Sequence, residues 1–391
     1  MKGHLRERSP GKWAIILDAH DPTTGKRKRK WHSFEGGKRE AQKECARLIN
    51  EQQNGSYTEP SKTTVAQFIA RWLEHVKPQL SPKTFERYTE IVTKNLVPAV
   101  GSILLTKLRP AQISEAYAKA LATGRRDGKG GLAPATVVYW HRLLKAALQQ
   151  AVCWQMLLRN PAGALTPPKI ERHAMQIYNI EQIAALLSAA RTGRVHMMVS
   201  LAVQCGLRRG EIAALRWRHV DFAHAQLAIV DSVEQTKAGL RIKRAKSGKG
   251  RAVALSASLV ADLRQHRRDQ SEQLLRLGVG PSDESFVVAQ PDGAPYQPRS
   301  LSRAWEQWIA STDLPAIRFH DLRHSSASLM LASGIHPKIV SERLGHSRIG
   351  ITLDLYSHTV PHLQADAVAT VDDALQAAIQ RLGRTQMVAI G

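Results

Sequence analysis

Apolar residues recur every three or four positions over residues 62–165, and this spacing predicts a helical segment in the middle of the chain. The first helix opens at Thr64, which stands three residues before Gln67 as in a capping box. The Ser-Pro pair at 81–82 supplies the N-cap and first residue of a second helix. Two further helices are expected, over Pro110–Ala122 and Pro134–Leu158. We therefore predict a four-helix domain.

Residues 1–58 have a different pattern, which predicts a small sheet backed by one helix. Strands are expected over Trp13–Ala19 and Arg27–Phe34, with a turn between them and a helix over Lys38–Gln52. The run K-R-K-R-K at 26–30 leads into the second strand, so the strand carries cations on both faces. A strand packed on a core should alternate, so this one cannot be buried on both sides.

Residues 174–391 mix helical periods with short strand-like runs. Helices are expected over Ile180–Ala190, Val195–Cys205, Gly210–Leu215, Leu259–Leu277 and most of the chain from 298 to 382. Short strands are expected near Gln226–Val230, Gly239–Arg244 and Arg251–Leu255. Linkers at Gly55–Lys62 and Thr166–Arg172 separate the three segments, because Pro, Gly and charge resist regular packing. The expected fold class is a multidomain, mainly α protein with small β-sheets.

The charge of the chain points to a polyanionic partner. The 391 residues include 56 lysines and arginines against 33 aspartates and glutamates, a net charge of +23. Such an excess favours nucleic acid or an acidic membrane surface. No apolar run approaches the roughly 20 residues that span a bilayer, and the N-terminus has no secretion signal. Three isolated cysteines fit a reducing compartment, so we expect a cytoplasmic protein that binds nucleic acid.

Two basic stretches are the candidate DNA contacts. In the second strand we assign Arg27, Arg29 and Lys30, since the exposed face of a small sheet can enter a major groove. The alternative is a basic, solvated edge strand that resists aggregation. In the glycine-rich loop of the helical segment we assign Arg125 and Arg126.

Residues suited to phosphate chemistry fall in five short phrases of the last half. These are C-G-L-R-R-G-E at 205–211, A-K-S-G-K-G-R at 245–251, H-D-L-R-H at 320–324, L-G-H at 344–346 and L-D-L-Y-S-H at 353–358. Tyr356 is the candidate nucleophile, although a phenol of pKa about 10 needs cations to stabilise its anion. Arg208 and Arg323 can each bind two phosphate oxygens and stabilise a pentacoordinate phosphorane without a metal.

Three more residues are candidate proton carriers or donors. Lys246 could protonate a departing 5′-oxygen, His320 could accept the tyrosine proton, and His346 could donate to the phosphate. Lys237, Lys243 and Lys249 lie near enough in sequence to compete for the role of Lys246. Taken singly, each residue is more simply a surface charge or a packed side chain, so the hypothesis rests on their joint occurrence. His320 and His324 have zinc-ligand spacing, but no H-E-x-x-H phrase exists and no metal is expected.

In this order the five phrases resemble the tyrosine recombinase (phage integrase) family. The resemblance assigns six catalytic residues and a supporting acid: Arg208, Lys246, His320, Arg323, His346 and Tyr356, with Glu211 supporting the first arginine. It implies an arm-type DNA-binding domain at 1–58 with a three-stranded sheet and one helix, a core-binding domain at 62–165 and a catalytic domain at 174–391. Two positions depart from the family pattern. Gly210 stands where Ser or Thr is frequent, and Ser247 stands where Thr is frequent.

The family implies a site-specific recombinase that integrates or excises a phage or mobile element. Cleavage leaves a 3′-phosphotyrosine and a free 5′-hydroxyl, with no cofactor, metal or ATP. The implied partners are double-stranded attachment sites, three further protomers in a tetramer, an accessory DNA-bending host factor and an excisionase. One alternative is a related enzyme, a type IB topoisomerase, and the basic first segment and the helical second segment favour the recombinase over it. The other alternative is a non-catalytic DNA-binding regulator, and the presence of Tyr356 with all its partner residues argues against it.

Overall fold

The structure is a computed structural model that describes residues 3–20, 27–53, 61–171, 175–244, 250–350, 352–353, 368, 371–373 and 375–379. The chain divides into two compact units, Met1–Arg172 and His173–Gly391. Each unit is described by itself below.

The first unit begins with an antiparallel sheet of strands β1 (Gly3–Ser9), β2 (Lys12–His20) and β3 (Arg27–Glu35), followed by helix α1 (Lys38–Gln53). The strands lie in the order β1-β2-β3, so β3 is an edge strand. Ile15 and Leu17 of β2 pack against Cys45 and Leu48 of α1 to form a small apolar core. The hydrophobic pattern alone did not predict β1; the three-stranded sheet implied by the family resemblance is confirmed.

The rest of the first unit is helical, as the apolar spacing predicts. Its helices are α2 (Val65–Val76), α3 (Pro82–Ile91), α4 (Val97–Val100), α5 (Pro110–Thr123) and α6 (Pro134–Cys153). The capping box is confirmed, since the Thr64 side chain accepts from the Gln67 amide and the Gln67 side chain accepts from the Thr64 amide. The apolar core of these helices is a separate cluster from the apolar core of the sheet and α1. The proposed border between domains 1–58 and 62–165 stays a prediction.

The predicted end of α6 at Leu158 is wrong. The helix ends at Cys153, and Gln155 follows with a φ of +58°, outside the helical region. The amides of Met156 and Leu157 turn back to the Ala151 carbonyl. This reversal lets Met156 and Leu157 pack against the helical core, so their apolar character reflects packing and not a longer helix.

The second unit builds one large apolar core from helices and two small sheets. Its helices are α7 (Ile180–Ala190), α8 (His196–Gln204), α9 (Arg209–Ala214), α10 (Ala257–Arg276), α11 (Pro298–Ile309), α12 (Asp321–Ala332) and α13 (Pro337–Leu344). Its strands are β4 (Val220–Asp221), β5 (Gln226–Ile229), β6 (Asp231–Thr236), β7 (Gly239–Arg244) and β8 (Arg251–Ala254). One sheet has the order β4-β5-β8, and β6 and β7 form a separate hairpin.

Two regions of the second unit complete the fold. Strand β6 was not predicted, because its sequence D-S-V-E-Q-T is mostly polar; it pairs with β7 from Asp231 to Thr236. Within the stretch up to residue 382 that is expected to be mostly helical, residues 368, 371–373 and 375–379 are described and are helical, and Val368, Val371 and Leu375 are exposed. None of the helices that the structure describes has the length and apolarity needed to cross a bilayer.

Candidate active site

Arg208 stands at the N-cap of α9, directly after a tight turn. Gly206 has a φ of +63°, and a Cβ there would lie 2.2 Å from Cδ2 of Leu344, so the turn requires glycine. The Arg208 amide donates to Oε2 of Glu211 at 2.9 Å, and its Nη1 donates to Oε1 at 2.8 Å. The first arginine is therefore fixed at both backbone and side chain by the acid three residues later.

Glu211 is buried and is shared between two arginines. Besides Arg208, Arg251 at the start of β8 donates to both carboxylate oxygens, from Nη1 at 3.0 Å and from Nη2 at 2.7 Å. Burial alone would raise the pKa of Glu211, but the hydrogen bonds and charges of Arg251 and Arg208 outweigh it and lower the pKa to about 2. The carboxylate is ionised at any physiological pH.

Three guanidinium groups converge on three successive carbonyls at the end of α13. Nε of Arg251 donates to Arg343 O at 2.8 Å, Nη2 of Arg323 to Leu344 O at 2.6 Å, and Nη2 of Arg208 to Gly345 O at 2.8 Å. We call Arg208, Arg251 and Arg323 the arginine cluster, and the carbonyls of residues 343–345 the carbonyl triplet. The last carbonyls of a helix lack partners within the helix and lie at its negative end, so cations are favoured there.

Arg323 lies on α12 and is buried. Its Nη1 donates to Gly206 O, so the guanidinium ties the turn before Arg208 to the end of α13. Burial and the neighbouring Arg208 lower its pKa to about 9, and it stays protonated at neutral pH. These two bonds use two of the five N–H groups of a guanidinium. The predicted bidentate contact with phosphate would have to use the others.

The two histidines predicted to act here flank this cluster. His346 directly follows the carbonyl triplet, and its Nδ1 is 2.8 Å from Oγ1 of Thr352. His320 is exposed at the N-cap of α12, with its ring centroid 5.0 Å from that of His324. Part of His320 is open to solvent, yet loss of hydration among the surrounding side chains, with the charges of His324 and Arg323, lowers its pKa to about 4. Loss of hydration, with the charges of Arg323 and Arg208, lowers the pKa of His346 to about 4 as well. Both rings are therefore neutral at pH 7.

Comparisons with known proteins match both units. The model of the Phage integrase family matches residues 177–362, and the model of the phage integrase N-terminal SAM-like domain matches residues 64–121. The chain belongs to the tyrosine recombinase (phage integrase) family. It is a DNA recombinase of the integrase type.

Curated relatives of this recombinase align along most of their length. A tyrosine recombinase XerC-like protein of Caldanaerobacter subterraneus subsp. tengcongensis is 25% identical over 359 residues, which cover 86% of this chain and 90% of the relative. The ICEBs1 integrase of Bacillus subtilis strain 168 is 24% identical over 358 residues, covering 91% of this chain and 95% of the relative.

Solved structures share the fold of the recombinase. The Tn1549 transposon integrase in complex with a circular intermediate DNA matches with a TM-score of 0.63 at 18% identity, covering 82% of this chain and all of the other. A lambda integrase tetramer bound to a Holliday junction matches with a TM-score of 0.55 at 17% identity, covering 88% of this chain and 95% of the other.

Tyr356 and Lys246, the predicted nucleophile and leaving-group acid of the recombinase, lie outside the described residues. Of the competing lysines, Lys243 on β7 forms an ion pair with the buried Glu234. Lys249 also lies outside the described residues, and Lys237 is in the turn between β6 and β7. Both roles therefore stay predictions. Among the side chains that the structure places, no group of three or more His, Cys, Asp or Glu is arranged to hold a metal ion.

The predicted DNA contacts lie on exposed parts of the first unit. Arg29 is exposed, with Nε 3.8 Å from Asp18. Arg125 forms a two-bond pair with Asp127, and Arg126 beside it is exposed. The backbone of Arg27 and Lys30 lies in β3, but their side chains are outside the described residues. These assignments stay predictions.

Sequence reasoning missed Arg251. It ends the phrase A-K-S-G-K-G-R that was singled out for its lysine, so the local sequence gave it no separate signal. Its importance depends on Glu211, 40 positions away, and on Arg343, 92 positions away, which only the folded chain brings to it.

Proposed function

We propose that this recombinase cleaves and rejoins attachment-site DNA through a covalent 3′-phosphotyrosine on Tyr356, and so integrates or excises a phage or mobile element. The observation that carries the proposal is the arginine cluster, fixed between Glu211 and the carbonyl triplet beside His346. Three fixed cations at one place suit a reaction whose transition state gains negative charge on phosphate oxygens.

The proposed step balances without an outside reagent. The Oη–P bond to Tyr356 forms while the bond from phosphorus to the 5′-oxygen breaks, and Lys246 gives its proton to that oxygen. The remaining N–H groups of Arg208 and Arg323 stabilise the non-bridging oxygens. Attack by the 5′-hydroxyl of a partner strand reverses the step, so bond energy is retained and neither ATP nor a metal is required.

The neutral histidines fit complementary roles in this scheme. His320, with a pKa of about 4, can accept the tyrosine proton at neutral pH. If the Thr352 hydroxyl donates to Nδ1 of His346, the proton of that ring is on Nε2, where it can donate to a phosphate oxygen. We assign Glu211 as the support of Arg208.

For partners we propose double-stranded attachment sites and a tetramer of this chain. The lambda integrase structure is a tetramer on a Holliday junction, and the similar fold supports the same assembly here. Residues 1–58 would bind distal arm-type sites through Arg27, Arg29 and Lys30, and residues 62–165 would bind the core site with Arg125 and Arg126 near it. An accessory DNA-bending host factor and an excisionase would set direction in the bacterial cytoplasm.

A nicked suicide duplex carrying the attachment site tests the proposal. Wild-type protein and the control Tyr296→Phe should form a covalent 3′-linked adduct, and Tyr356→Phe should form none, because it lacks the attacking oxygen. Equal adduct from wild type and Tyr356→Phe would contradict catalysis by this tyrosine. Efficient relaxation of a supercoiled plasmid that lacks the site would favour a type IB topoisomerase, and DNA binding without any adduct would favour a regulator.

A further inference from the structure

Arg251 makes three bonds to protein atoms and is almost enclosed. Its Nη1 and Nη2 donate to Glu211, and its Nε donates to Arg343 O. Its side chain is 13% exposed, against 34% for Arg208. Exposure alone does not set Arg251 apart, since Arg323 is also buried. Three of the five N–H groups of Arg251 bind protein atoms, against two of Arg323, so fewer remain for a DNA phosphate and the side chain acts mainly on its neighbours.

We propose that Arg251 is a positioning residue for strand cleavage, which holds Arg208 through Glu211 and holds the turn before His346 through the Arg343 carbonyl. The inference rests on the proposed function, because it concerns the rate of the same cleavage step. It adds a residue to the site that makes no contact with the reacting atoms.

The first route runs through a shared carboxylate. Oε1 of Glu211 accepts from Nη1 of Arg251 at 3.0 Å and from Nη1 of Arg208 at 2.8 Å. Oε2 accepts from Nη2 of Arg251 at 2.7 Å and from the Arg208 amide at 2.9 Å. The two nitrogens of Arg251 thus fix the plane of the carboxylate, and that plane fixes the direction from which Arg208 is held.

The second route runs through the end of α13. Gly345 has a φ of +66°, and a Cβ there would lie 3.1 Å from both Cδ and Nη1 of Arg251. The guanidinium and its stem therefore lie against the glycine that reverses the chain into His346. Because Nε of Arg251 also binds Arg343 O, the side chain supports this turn on two sides.

A lysine at this position could keep the charge but not the geometry. An ammonium group is a point donor at the end of a flexible stem, whereas the three bonds of Arg251 require a planar fork plus Nε. Arg251→Lys therefore separates positioning from charge, and Arg251→Ala removes both. Arg216→Lys is the matched control, since Arg216 pairs with Glu284 at 3.3 Å and stacks on Phe286 at 4.3 Å among residues with no assigned role in cleavage.

The experiment compares full-length wild type, Arg251→Lys, Arg251→Ala and Arg216→Lys on the nicked suicide duplex. Affinity for the core site, the rate of adduct formation and the thermal midpoint are measured for each. We expect Arg251→Lys to bind DNA within about twofold of wild type and to form adduct roughly 10- to 100-fold more slowly, as for a misplacement of about 1 Å. Arg216→Lys should keep the wild-type rate.

A double-mutant comparison decides whether the effect runs through Arg208. If it does, Arg208→Ala should already remove what Arg251 supports, so adding Arg251→Lys should slow the reaction less than twofold further, in contrast to its effect on wild type. A second readout is a methylphosphonate at the scissile position, which is neutral and depends less on Arg208. The Arg251→Lys defect should shrink on this substrate, which a general loss of folding would not produce.

Two results would overturn the inference alone: a wild-type rate for Arg251→Lys, or a full additional loss when it is combined with Arg208→Ala. If Arg251→Ala does not fold, Arg251→Lys carries the test. Absence of any adduct from the wild type would instead contradict the proposed function.

Discussion

Glu211 shows how one residue can organise a cationic site. It is a single buried carboxylate that accepts hydrogen bonds from two guanidiniums and one amide. Placing several arginines together is unfavourable unless a counter-charge and good hydrogen bonds compensate. Glu211 supplies that charge, and the carbonyl triplet supplies further acceptors. The cluster is thus assembled before DNA arrives.

Glu211 should make stability depend on acid pH. Its folded pKa of about 2 lies below the ordinary value of 4.5, so the unfolded chain takes up a proton first as the pH falls. The stability it contributes is complete above about pH 4.5 and is lost as the pH falls towards 2, a difference of about 3 kcal/mol. Urea denaturation at a series of pH values measures it.

Glu211→Gln should remove most of this acid dependence, and Glu284→Gln is its control. Glu284 is half exposed and forms ion pairs with Arg216 and Arg218. Exposed ion pairs contribute about 1 kcal/mol or less to the stability of the fold. If wild type and Glu211→Gln lose stability in parallel between pH 4.5 and 2, the carboxylate does not carry the effect.

The lowered pKa of the histidines predicts that activity changes little between neutral and mildly acid pH. With a pKa of about 4, His320 remains neutral at pH 5.5 and can still accept a proton. The rate of adduct formation at subsaturating DNA should fall less than about twofold from pH 7.5 to 5.5, whereas a base of pKa 6.5 would lose about tenfold. A tenfold loss that is absent in His320→Gln would contradict the lowered pKa.

At the scale of elements, the end of α13 is the critical junction. Its carbonyls face the arginine cluster, and Gly345 reverses the chain in the left-handed region so that His346 follows at once. Gly334 after α12 has a similar φ, +77°, but nothing lies within 4 Å of a Cβ added there. A comparison of alanine substitutions at the two glycines therefore distinguishes the effect of backbone strain from the effect of steric crowding.

Gly345→Ala and Gly334→Ala should differ in activity more than in stability. Both place alanine in the left-handed region, at a cost of about 1 kcal/mol each. Only Gly345→Ala also pushes on Arg251, so it should slow adduct formation about tenfold or more while Gly334→Ala leaves the rate unchanged. Thermal unfolding and the suicide-substrate assay measure the two effects; equal rates would show that crowding at Gly345 is harmless.

Elements with local signals were predictable from the sequence, and those without were not. The capping box at Thr64 and the Ser-Pro start at 81–82 need only neighbouring residues, and both were located correctly. Strand β6 is polar and is held by its partner β7, so its own sequence indicated nothing. Met156 and Leu157 misled the helix prediction, because apolar periodicity does not distinguish a helix from a reversal packed on the same core.

The same distinction applies to the site. Arg208, His320, Arg323 and His346 were singled out from short phrases, and the structure brings them together, although their catalytic roles stay predictions. Arg251 and the carbonyl triplet could not be predicted, because their bonds join residues on different elements and the acceptors of the triplet are backbone atoms that any residue would provide.

For the whole molecule, the basic sheet of residues 1–58 should be separable from cleavage. The buried residues of its apolar core lie on β2 and α1, and Leu5, Phe34 and Ile49 pack against them. Deleting residues 1–58 should leave adduct formation on a core-site duplex within about twofold, because the arginine cluster lies in the second unit, and should abolish integration that needs distal sites.

Gel shifts at two salt concentrations accompany this test. Core-site binding by the shortened protein should still weaken steeply with salt, since phosphate contacts release counterions. Equal loss of core cleavage and of integration would contradict the arm-type assignment, and a response unaffected by salt would argue against phosphate contacts altogether.

The carbonyl triplet also sets when the arginine cluster of a newly made chain can assemble. Arg208 reaches Gly345 across 137 positions and Arg251 reaches Arg343 across 92, so the acceptors leave the ribosome long after these two donors. N-terminal segments generally fold first during synthesis. A nascent chain, or a fragment cut short before Arg343, can hold the basic sheet and the helical segment without an assembled arginine cluster. Premature termination before Arg343 should therefore yield a product in which Arg208 and Arg251 lack these carbonyl acceptors.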